Sequence, residues 1–298
     1  MLYALQQLLN AVPIASLYAA LAFGYATAFA VTKRADITYG ALFAAAGHLF
    51  LLVAHTGWNV LFLTFPAALS LGALAAVTLV AGGGVVIGRQ VVAPLARVSP
   101  NALTVASLGL LLVLMEAARL ASGTRELWLP PFLNTPLRLW RGEEGTASLT
   151  LLQALNSLVL LLLVAGGGWF LAASRWGRHW RAVCDDPLAA ELCGVQAARI
   201  FAGAYGLAAL FAALAGLLAT AHYGTMDFGA GILFGLKIVL IAAAGGHSHP
   251  LRAAAGAALF GFGETLWSGY GPVAWRDTVM LGALVALLVI SRRERVLV

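Results

Sequence analysis

The sequence predicts an all-α polytopic membrane protein that forms a single domain over residues 1–298. Hydrophobic residues make up 61% of the chain and charged residues only 10%, which is too little polar side chain for a soluble surface. The mean hydropathy is +0.91. Long apolar stretches recur from end to end, and the polar connections between them run only some tens of residues. No second, soluble domain is therefore expected.

Nine apolar segments are predicted as helices, since about 20 apolar residues cross the hydrocarbon core of a bilayer. The first shows no basic region of a signal peptide and is expected to stay in place as a spanning helix. The second and seventh are short and rich in glycine, so either could be a partial or re-entrant helix. The predicted number is therefore eight or nine, at residues 8–32, 37–54, 60–87, 101–121, 150–173, 200–221, 228–245, 250–268 and 275–291.

The basic residues predict the orientation, with the N-terminus outside and the C-terminus inside, because Lys and Arg concentrate on cytoplasmic connections. Five arginines then lie outside, at Arg119, Arg125, Arg138, Arg141 and Arg276, and Lys237 lies within a segment. Twelve basic residues lie inside: Lys33, Arg34, Arg89, Arg97, Arg175, Arg178, Arg181, Arg199, Arg252, Arg292, Arg293 and Arg295. Scattered at segment ends, these charges form no continuous basic face, so a nucleic-acid partner is not expected.

A possible internal repeat links two of the segments. Residues 39–48 and 234–247 each form a short apolar run that ends in small residues and Gly-His. Duplicated halves are typical of transporters with a site at the middle of the membrane. Alanine-rich helices also match by chance, so the pattern alone leaves both interpretations open.

The connection over residues 174–199, predicted on the cytoplasmic side, carries the most specific local pattern. Arg181 and Asp185 are four residues apart, a spacing that suits an ion pair on one helix. Asp186 before Pro187 is typical of a helix start, and Gly194 of a helix end. The pattern predicts two short helices with a sharp bend. Such a pair could couple the bundle to a soluble motor or could be an ordinary interfacial loop.

This loop resembles the coupling loop of permeases in the high-affinity branched-chain amino acid family of ATP-binding-cassette (ABC) importers. That family places a Gly-Arg segment, an Arg-Ala pair, acidic residues, Ala-Ala and a Gly before Val or Ile in this order. The matching positions are Gly177-Arg178, Arg181-Ala182, Asp185-Asp186, Ala189-Ala190 and Gly194-Val195. The resemblance makes these residues, from Gly177 to Gly194, the ones expected to couple the chain to an ATPase.

Three further regions resemble the same family, and the whole is closer to the first of the two permease types that such importers pair. They are residues 6–24, residues 94–109, and the C-terminal group of Gly235-Leu236-Lys237, Gly245-Gly246 and Glu264. Two stretches depart from it. Residues 36–40 read Asp-Ile-Thr-Tyr-Gly where the family has Asn-Phe-Ala-His/Gln-Gly, and residues 247–250 replace a glycine-rich run. These departures leave the solute open.

The resemblance implies a permease subunit in a bacterial inner membrane that carries a branched-chain or other amino acid, an amide or a urea-like solute. It implies a second permease subunit, related or identical, two cytoplasmic ATPase subunits that bind ATP-Mg, and an extracytoplasmic solute-binding protein. The outer loop at 122–149, rich in Pro and Trp, suits docking of that binding protein, or else forms a packed lid. The chain has no GxxxxGK[ST] motif and is expected to be neither an enzyme nor a holder of a cofactor.

Candidate residues for the translocation path are few. Lys237 and Glu264 lie inside apolar segments, where an ionisable group is costly unless it is paired or hydrated. They could line the path, or they could form a structural pair. Tyr39 and Gly40 are further candidates to face the path, whereas Asp36 is most simply a helix cap. No metal site is expected, since His247 and His249 lack a third ligand.

An ion-coupled secondary transporter is the alternative function, with Lys237, Glu264 and Asp227 as coupling groups. Such a transporter has no need of a docking loop for a motor. A membrane enzyme is disfavoured, because no nucleophile elbow or HExxH motif is present.

Overall fold

The structure is a computed structural model and describes residues 2–98, 100–142, 145–246 and 249–293. Its helices are α1 (Leu2–Thr32), α2 (Thr38–Asn59), α3 (Phe65–Ile87), α4 (Ala93–Val98), α5 (Pro100–Ala121), α6 (Leu151–Ala173), α7 (Arg175–Asp185), α8 (Pro187–Leu192), α9 (Ala197–Tyr223), α10 (Ala230–Gly245), α11 (Pro250–Tyr270) and α12 (Arg276–Arg293). A π-helical turn, Gly88–Val92, joins α3 to α4, and a 3₁₀ turn, Val273–Trp275, precedes α12. The predicted all-α membrane fold is confirmed.

All nine predicted segments are helical, and their lengths refine the prediction. Among the residues that the structure describes, six helices (α1, α2, α3, α5, α6 and α9) are long and apolar enough to cross a membrane. The second segment is not too short to span, as had been considered, because α2 has 22 residues and is about 33 Å long at 1.5 Å per residue. The seventh, α10, has only 16 residues. α11 and α12 have 21 and 18 residues, so the choice between eight and nine spans stays a prediction.

Two helices form the centre of the bundle. The most apolar stretch of α1 is 89% buried and that of α9 is 72% buried, whereas the corresponding stretch of α5 is only 17% buried. Small residues permit this close packing. A Cβ added at Gly261 of α11 would lie 2.7 Å from the Ala15 backbone of α1. The peripheral helices present their apolar side chains outward, as expected for contact with lipid.

One feature of the outer loop was not predicted, an antiparallel hairpin of β1 (Pro136–Gly142) and β2 (Gly145–Thr150). It packs against the start of α1, where the Gln6 side chain accepts from the Ser148 N–H and donates to the Ser148 carbonyl, each at 2.9 Å. Tyr3 donates to the Gly269 carbonyl at the end of α11. The hairpin, the start of α1 and the end of α11 therefore share one face of the bundle.

The opposite face carries the α7–α8 pair. The Trp180 indole of α7 donates to the carbonyl of Thr27, near the other end of α1, at 3.1 Å. The two loops singled out in the sequence, 122–149 and 174–199, therefore lie at opposite ends of α1. This placement agrees with the predicted topology, although the side that faces the cytoplasm stays a prediction.

Candidate functional site

The loop at 174–199 folds as two short helices with a bend at Asp186, as predicted. The Ser174 hydroxyl accepts from the Gly177 N–H at 2.9 Å and begins α7. Asp186 ends α7 and begins α8, where one of its carboxylate oxygens accepts from the N–H groups of Leu188 (2.8 Å) and Ala189 (3.1 Å). Pro187 occupies the first turn of α8. The Ser174 hydroxyl and the Asp186 carboxylate satisfy backbone donors that a helix start leaves free, and Pro187 has no such donor to satisfy.

The end of α8 is closed by Gly194, also as predicted. Its φ is +87°, a left-handed conformation that costs an L-residue with a Cβ about 1–2 kcal/mol. Gly194 N–H donates to Glu191 and Val195 N–H donates to Ala190, each at 3.0 Å. These two bonds are the Schellman pattern. The bend and both helix ends are therefore specified locally, before any partner binds.

One face of α7 is fixed to the bundle. Gly177 lies so close to the Leu171 carbonyl of α6 that a Cβ would clash with it. Trp180, Val183 and Cys184 are buried on the same face. Burial raises the pKa of the Cys184 thiol to about 12. An uncharged thiol in this position packs as a small apolar side chain.

The predicted ion pair between Arg181 and Asp185 is wrong for this conformation. Arg181 instead donates to the Ala172 carbonyl at 3.5 Å, and Arg178 donates to the Ala173 carbonyl at 3.5 Å. The last carbonyls of α6 have no partner in their own helix and form the negative end of its dipole. Those carbonyls attract both guanidinium groups back toward α6 and away from Asp185.

The outward face of the pair combines charge with two leucines. Arg178, Arg181, Ala182, Asp185, Asp186 and Ala189 are exposed on it, and Ala190 is buried. Leu188 is 69% exposed and Leu192 is 85% exposed, four residues apart on α8. Neither leucine was singled out from the sequence. The available signal was that two leucines lie four residues apart on a helix of six residues, which is too short to bury them.

A second polar cluster lies between α1, α10, α11 and α12. The Lys237 ammonium is 3.1 Å from a carboxylate oxygen of Glu264 and 3.0 Å from one of Asp277. The Tyr18 hydroxyl donates to the other Glu264 oxygen at 2.9 Å. Arg276 is 3.7 Å from Glu264 and 3.5 Å from Asp277. We call Lys237, Glu264, Arg276 and Asp277 the ion cluster.

The ion cluster is balanced in charge and graded in burial. The Glu264 side chain is 7% exposed and that of Lys237 is 15% exposed, whereas Arg276 and Asp277 are 38% and 58% exposed. The sequence analysis identified the inner pair, counted Arg276 only among the outer basic residues and did not single out Asp277. It also missed Tyr18, which looks like any aromatic residue of an apolar helix. The cluster leads from a buried carboxylate to the protein surface.

Tyr39 and Gly40 do not share a contact with the ion cluster. Gly40 lies against the backbone of Gly231 and Gly235 of α10, too close for any side chain. The Tyr39 ring packs edge-on against Tyr25 with 5.8 Å between centroids. In this conformation both residues pack helices together, and their role in the path stays a prediction. The two segments of the suggested repeat, α2 and α10, meet at this crossing.

Asp36 caps α2, as expected, but it is buried. One carboxylate oxygen accepts from the Thr38 N–H at 2.9 Å, and the other accepts from the Tyr205 hydroxyl of α9 at 2.6 Å. Burial raises the pKa of Asp36, and the hydrogen bonds from Tyr205 and Thr38 oppose that shift without cancelling it. This side chain therefore joins α2 to α9 as well as starting a helix.

Three other candidates have simpler outcomes. Glu116 and Arg119 form an ion pair within α5, at 2.7 Å. Asp227 accepts from the Gly229 N–H in the turn before α10. His247 lies outside the described residues, and within residues 2–98, 100–142, 145–246 and 249–293 no three His, Cys, Asp or Glu side chains form a group that could hold a metal.

Comparison with known proteins gives a consistent family. The family model described as branched-chain amino acid transport system / permease component matches residues 7–288. The permease LivH of the high-affinity branched-chain amino acid transport system of Escherichia coli is 27% identical over 297 residues, covering 97% of this chain and 94% of LivH. BraD of Pseudomonas aeruginosa, from a system of the same name, is 26% identical over 95% of this chain and 92% of BraD.

A more distant relative has another printed solute. The fructose import permease FrcC of Rhizobium meliloti is 29% identical over 149 residues, covering 40% of this chain and 41% of FrcC. No solved structure matches the chain. The comparisons give no support to an ion-coupled secondary transporter. Because the family model spans nearly the whole polytopic bundle, the chain belongs to the permease components of the branched-chain amino acid transport family.

Proposed function

We propose that the chain forms the membrane path of an ABC importer and is driven through the α7–α8 pair. The observation that carries this proposal is the construction of that pair. Its inner face is fixed to α1 and α6 by Trp180 and Gly177, while its outer face presents Leu188 and Leu192. Exposed leucines beside arginines suit a groove of another protein better than they suit water.

Two cytoplasmic ATPase subunits are the proposed partners on this face. They would bind ATP-Mg, and this chain would supply none of the ligands for it. The residues proposed to contact them are those of the outer face and bend, Arg178, Arg181, Ala182, Asp185, Asp186 and Ala189. Gly177, Ala190 and Gly194 would act indirectly, by holding the helices in position. A second permease subunit, related or identical, would complete the path.

The hairpin face is the proposed docking side for an extracytoplasmic solute-binding protein. This assignment uses the predicted orientation, with the start of α1 outside and the end of α12 inside. The hairpin is held firmly by Gln6, which makes it a stable surface for such a contact. A bacterial inner membrane is the expected location.

The proposed solute is a branched-chain or other amino acid, with amides and urea-like compounds next. The names of LivH and BraD support the first choice, and the altered residues 36–40 are the reason to test the others. Within the path, we propose that Lys237 and Glu264 hold one gating state through their ion pair. Tyr39 and Gly40 would contribute at the crossing of α2 and α10.

The test is a charge placed on the outer face of α8. Leu192→Glu is expected to abolish copurification with the ATPase subunits and solute-stimulated ATP hydrolysis, while membrane insertion and thermal stability stay unchanged. Leu139→Glu is the matched control for copurification with the ATPase subunits, which it should leave intact, since Leu139 is 58% exposed on the hairpin at the other end of the bundle. Intact ATPase binding in Leu192→Glu would contradict the docking assignment.

A second measurement separates the two functions considered. Uptake into cells should stop on ATP depletion and persist when an uncoupler collapses the ion gradients while ATP is maintained. Competition by leucine, isoleucine and valine, compared with amides and urea, identifies the solute. Uptake that follows the ion gradient would favour the secondary transporter.

A further inference from the structure

An apolar groove crosses the side of the bundle between α3, α6, α7 and α9. It is a shallow trough, wide open to the surface, and its volume of about 760 Å³ includes open solvent. Its lining contains no charged side chain: Ala81, Gly82 and Val85 from α3, Phe170 and Trp176 from the α6–α7 corner, and Gly203, Gly206, Leu207 and Leu210 from α9. The stacked rings of Phe170 and Trp176, 5.6 Å apart, form one wall.

Glycine gives the groove its depth. A Cβ added at Gly82 would meet no atom within 4 Å, whereas one added at Gly203 would lie 3.0 Å from the Trp176 ring. The α9 part of the lining, from Gly203 to Leu210, extends for about 10 Å at 1.5 Å per residue. The groove is therefore an open trough that runs along the helices.

Three arginines stand at one end of this groove. Arg199 precedes Gly203 by four residues, and Arg89 follows Val85 by four, so each continues a lining face of its helix by one turn. Arg175 precedes Trp176 directly. All three are exposed. They lie on the side of the bundle that carries the α7–α8 pair, where the lipid headgroups would begin.

We propose that this groove binds one acyl chain of an anionic phospholipid, with the headgroup phosphate held by Arg89, Arg175 and Arg199. Apolar walls suit the chain, and exposed arginines at the end of the groove suit an anionic phosphate. A helix from a second copy of this chain fits less well. The predicted cytoplasmic ends of its helices are mainly basic and would be repelled by these arginines.

The position of the groove gives the lipid a way to affect the coupling element. Trp176 is the second residue of α7, two positions after the Ser174 cap. A lipid chain against this ring would support the corner from which α7 leaves α6. Binding of the anionic lipid would then stabilise the orientation of the α7–α8 pair.

The experiment uses the full chain in nanodiscs, with brominated acyl chains placed either on phosphatidylglycerol or on phosphatidylcholine. Bromine quenches tryptophan fluorescence on contact, and the difference from a Trp176→Phe variant isolates the signal of Trp176. Quenching of Trp176 is expected to be stronger with brominated phosphatidylglycerol than with brominated phosphatidylcholine. That preference should weaken with added salt, and by about fivefold for each arginine replaced in Arg89→Gln and Arg199→Gln.

Matched variants keep the test specific. Gly82→Leu should fill the groove and remove the Trp176 quenching by both lipids, whereas Gly109→Leu, at an equally open glycine of α5, should not. Arg138→Gln, on the hairpin, should leave the headgroup preference unchanged. Equal quenching by the two lipids in the unaltered chain would overturn the proposal. A disulfide between two copies of the chain in a Trp176→Cys variant would overturn it too.

Discussion

Replacement of Lys237 by methionine tests how the ion cluster is balanced, because it keeps the length of the side chain and removes its charge. Glu264 would then retain the Tyr18 hydroxyl at 2.9 Å and Arg276 at 3.7 Å. A buried ion pair that loses one member costs about 3–5 kcal/mol. Since Arg276 still offers partial compensation, we expect Lys237→Met to lower the free energy of unfolding by about 2–3 kcal/mol.

The reciprocal change should be milder, and this asymmetry is the sharper part of the prediction. In Glu264→Gln, Lys237 keeps Asp277 at 3.0 Å, and Asp277 is open to solvent. The amide oxygen can still accept from Tyr18. We therefore expect a loss of about 1 kcal/mol. The double variant leaves no buried charge unpaired and should recover about 1–2 kcal/mol relative to Lys237→Met alone.

The assay is unfolding of the purified protein by titration with a denaturing detergent, followed by tryptophan fluorescence, for all four members of the cycle. Leu259→Met, at an exposed lipid-facing position of α11, controls for a change of apolar side chain. Equal losses in the two single variants would refute the graded arrangement. A double variant whose loss equals the sum of the singles would show that Lys237 and Glu264 act independently.

Three further predictions concern the C-terminal ends of α7 and α8 and the start of α2. A membrane-impermeant maleimide should label exposed Cys193 from the cytoplasmic side only and leave buried Cys184 unlabelled at neutral pH; labelling of Cys193 in intact cells would reverse the orientation. Gly194→Ala should cost about 1–2 kcal/mol through its positive φ and reduce solute-stimulated ATP hydrolysis several-fold, without loss of insertion in an immunoblot. Because burial raises the pKa of Asp36, the stability that its protonated form contributes below the ordinary carboxyl pKa is lost as the pH rises. Above neutral pH, Asp36→Asn should therefore unfold at a temperature a few degrees higher than the unaltered chain. A difference in unfolding temperature that stays constant across pH would contradict this.

The sequence could predict what short stretches of chain determine by themselves. The Asp186 cap, the Pro187 start and the Gly194 end are local, and each was recoverable from neighbouring residues. The nine apolar segments were recoverable for a similar reason, since burial in lipid requires length and apolarity alone. The start of α1, which lies six residues before the predicted start, was less accessible, because contact with the hairpin through Gln6 supports its first turns.

What the sequence could not predict depends on which helices meet. Asp277 and Tyr18 acquire meaning only once α10, α11 and α12 bring Lys237 to them. The expected pair of Arg181 with Asp185 was wrong because free carbonyls of α6 compete for the guanidinium. Periodicity within one helix cannot reveal a competitor in another. The hairpin was missed since Pro and Trp suggested an irregular loop.

The hydrogen bond between Trp180 and the Thr27 carbonyl has a mechanical consequence. It ties a surface helix to α1, the most enclosed element of the bundle, without an intervening flexible segment. Close-packed interiors are stiff and transmit displacement with little loss. A displacement of α8 would therefore be transmitted first to α1 at the centre of the bundle. The lipid-facing helices would move afterwards, through their packing against α1.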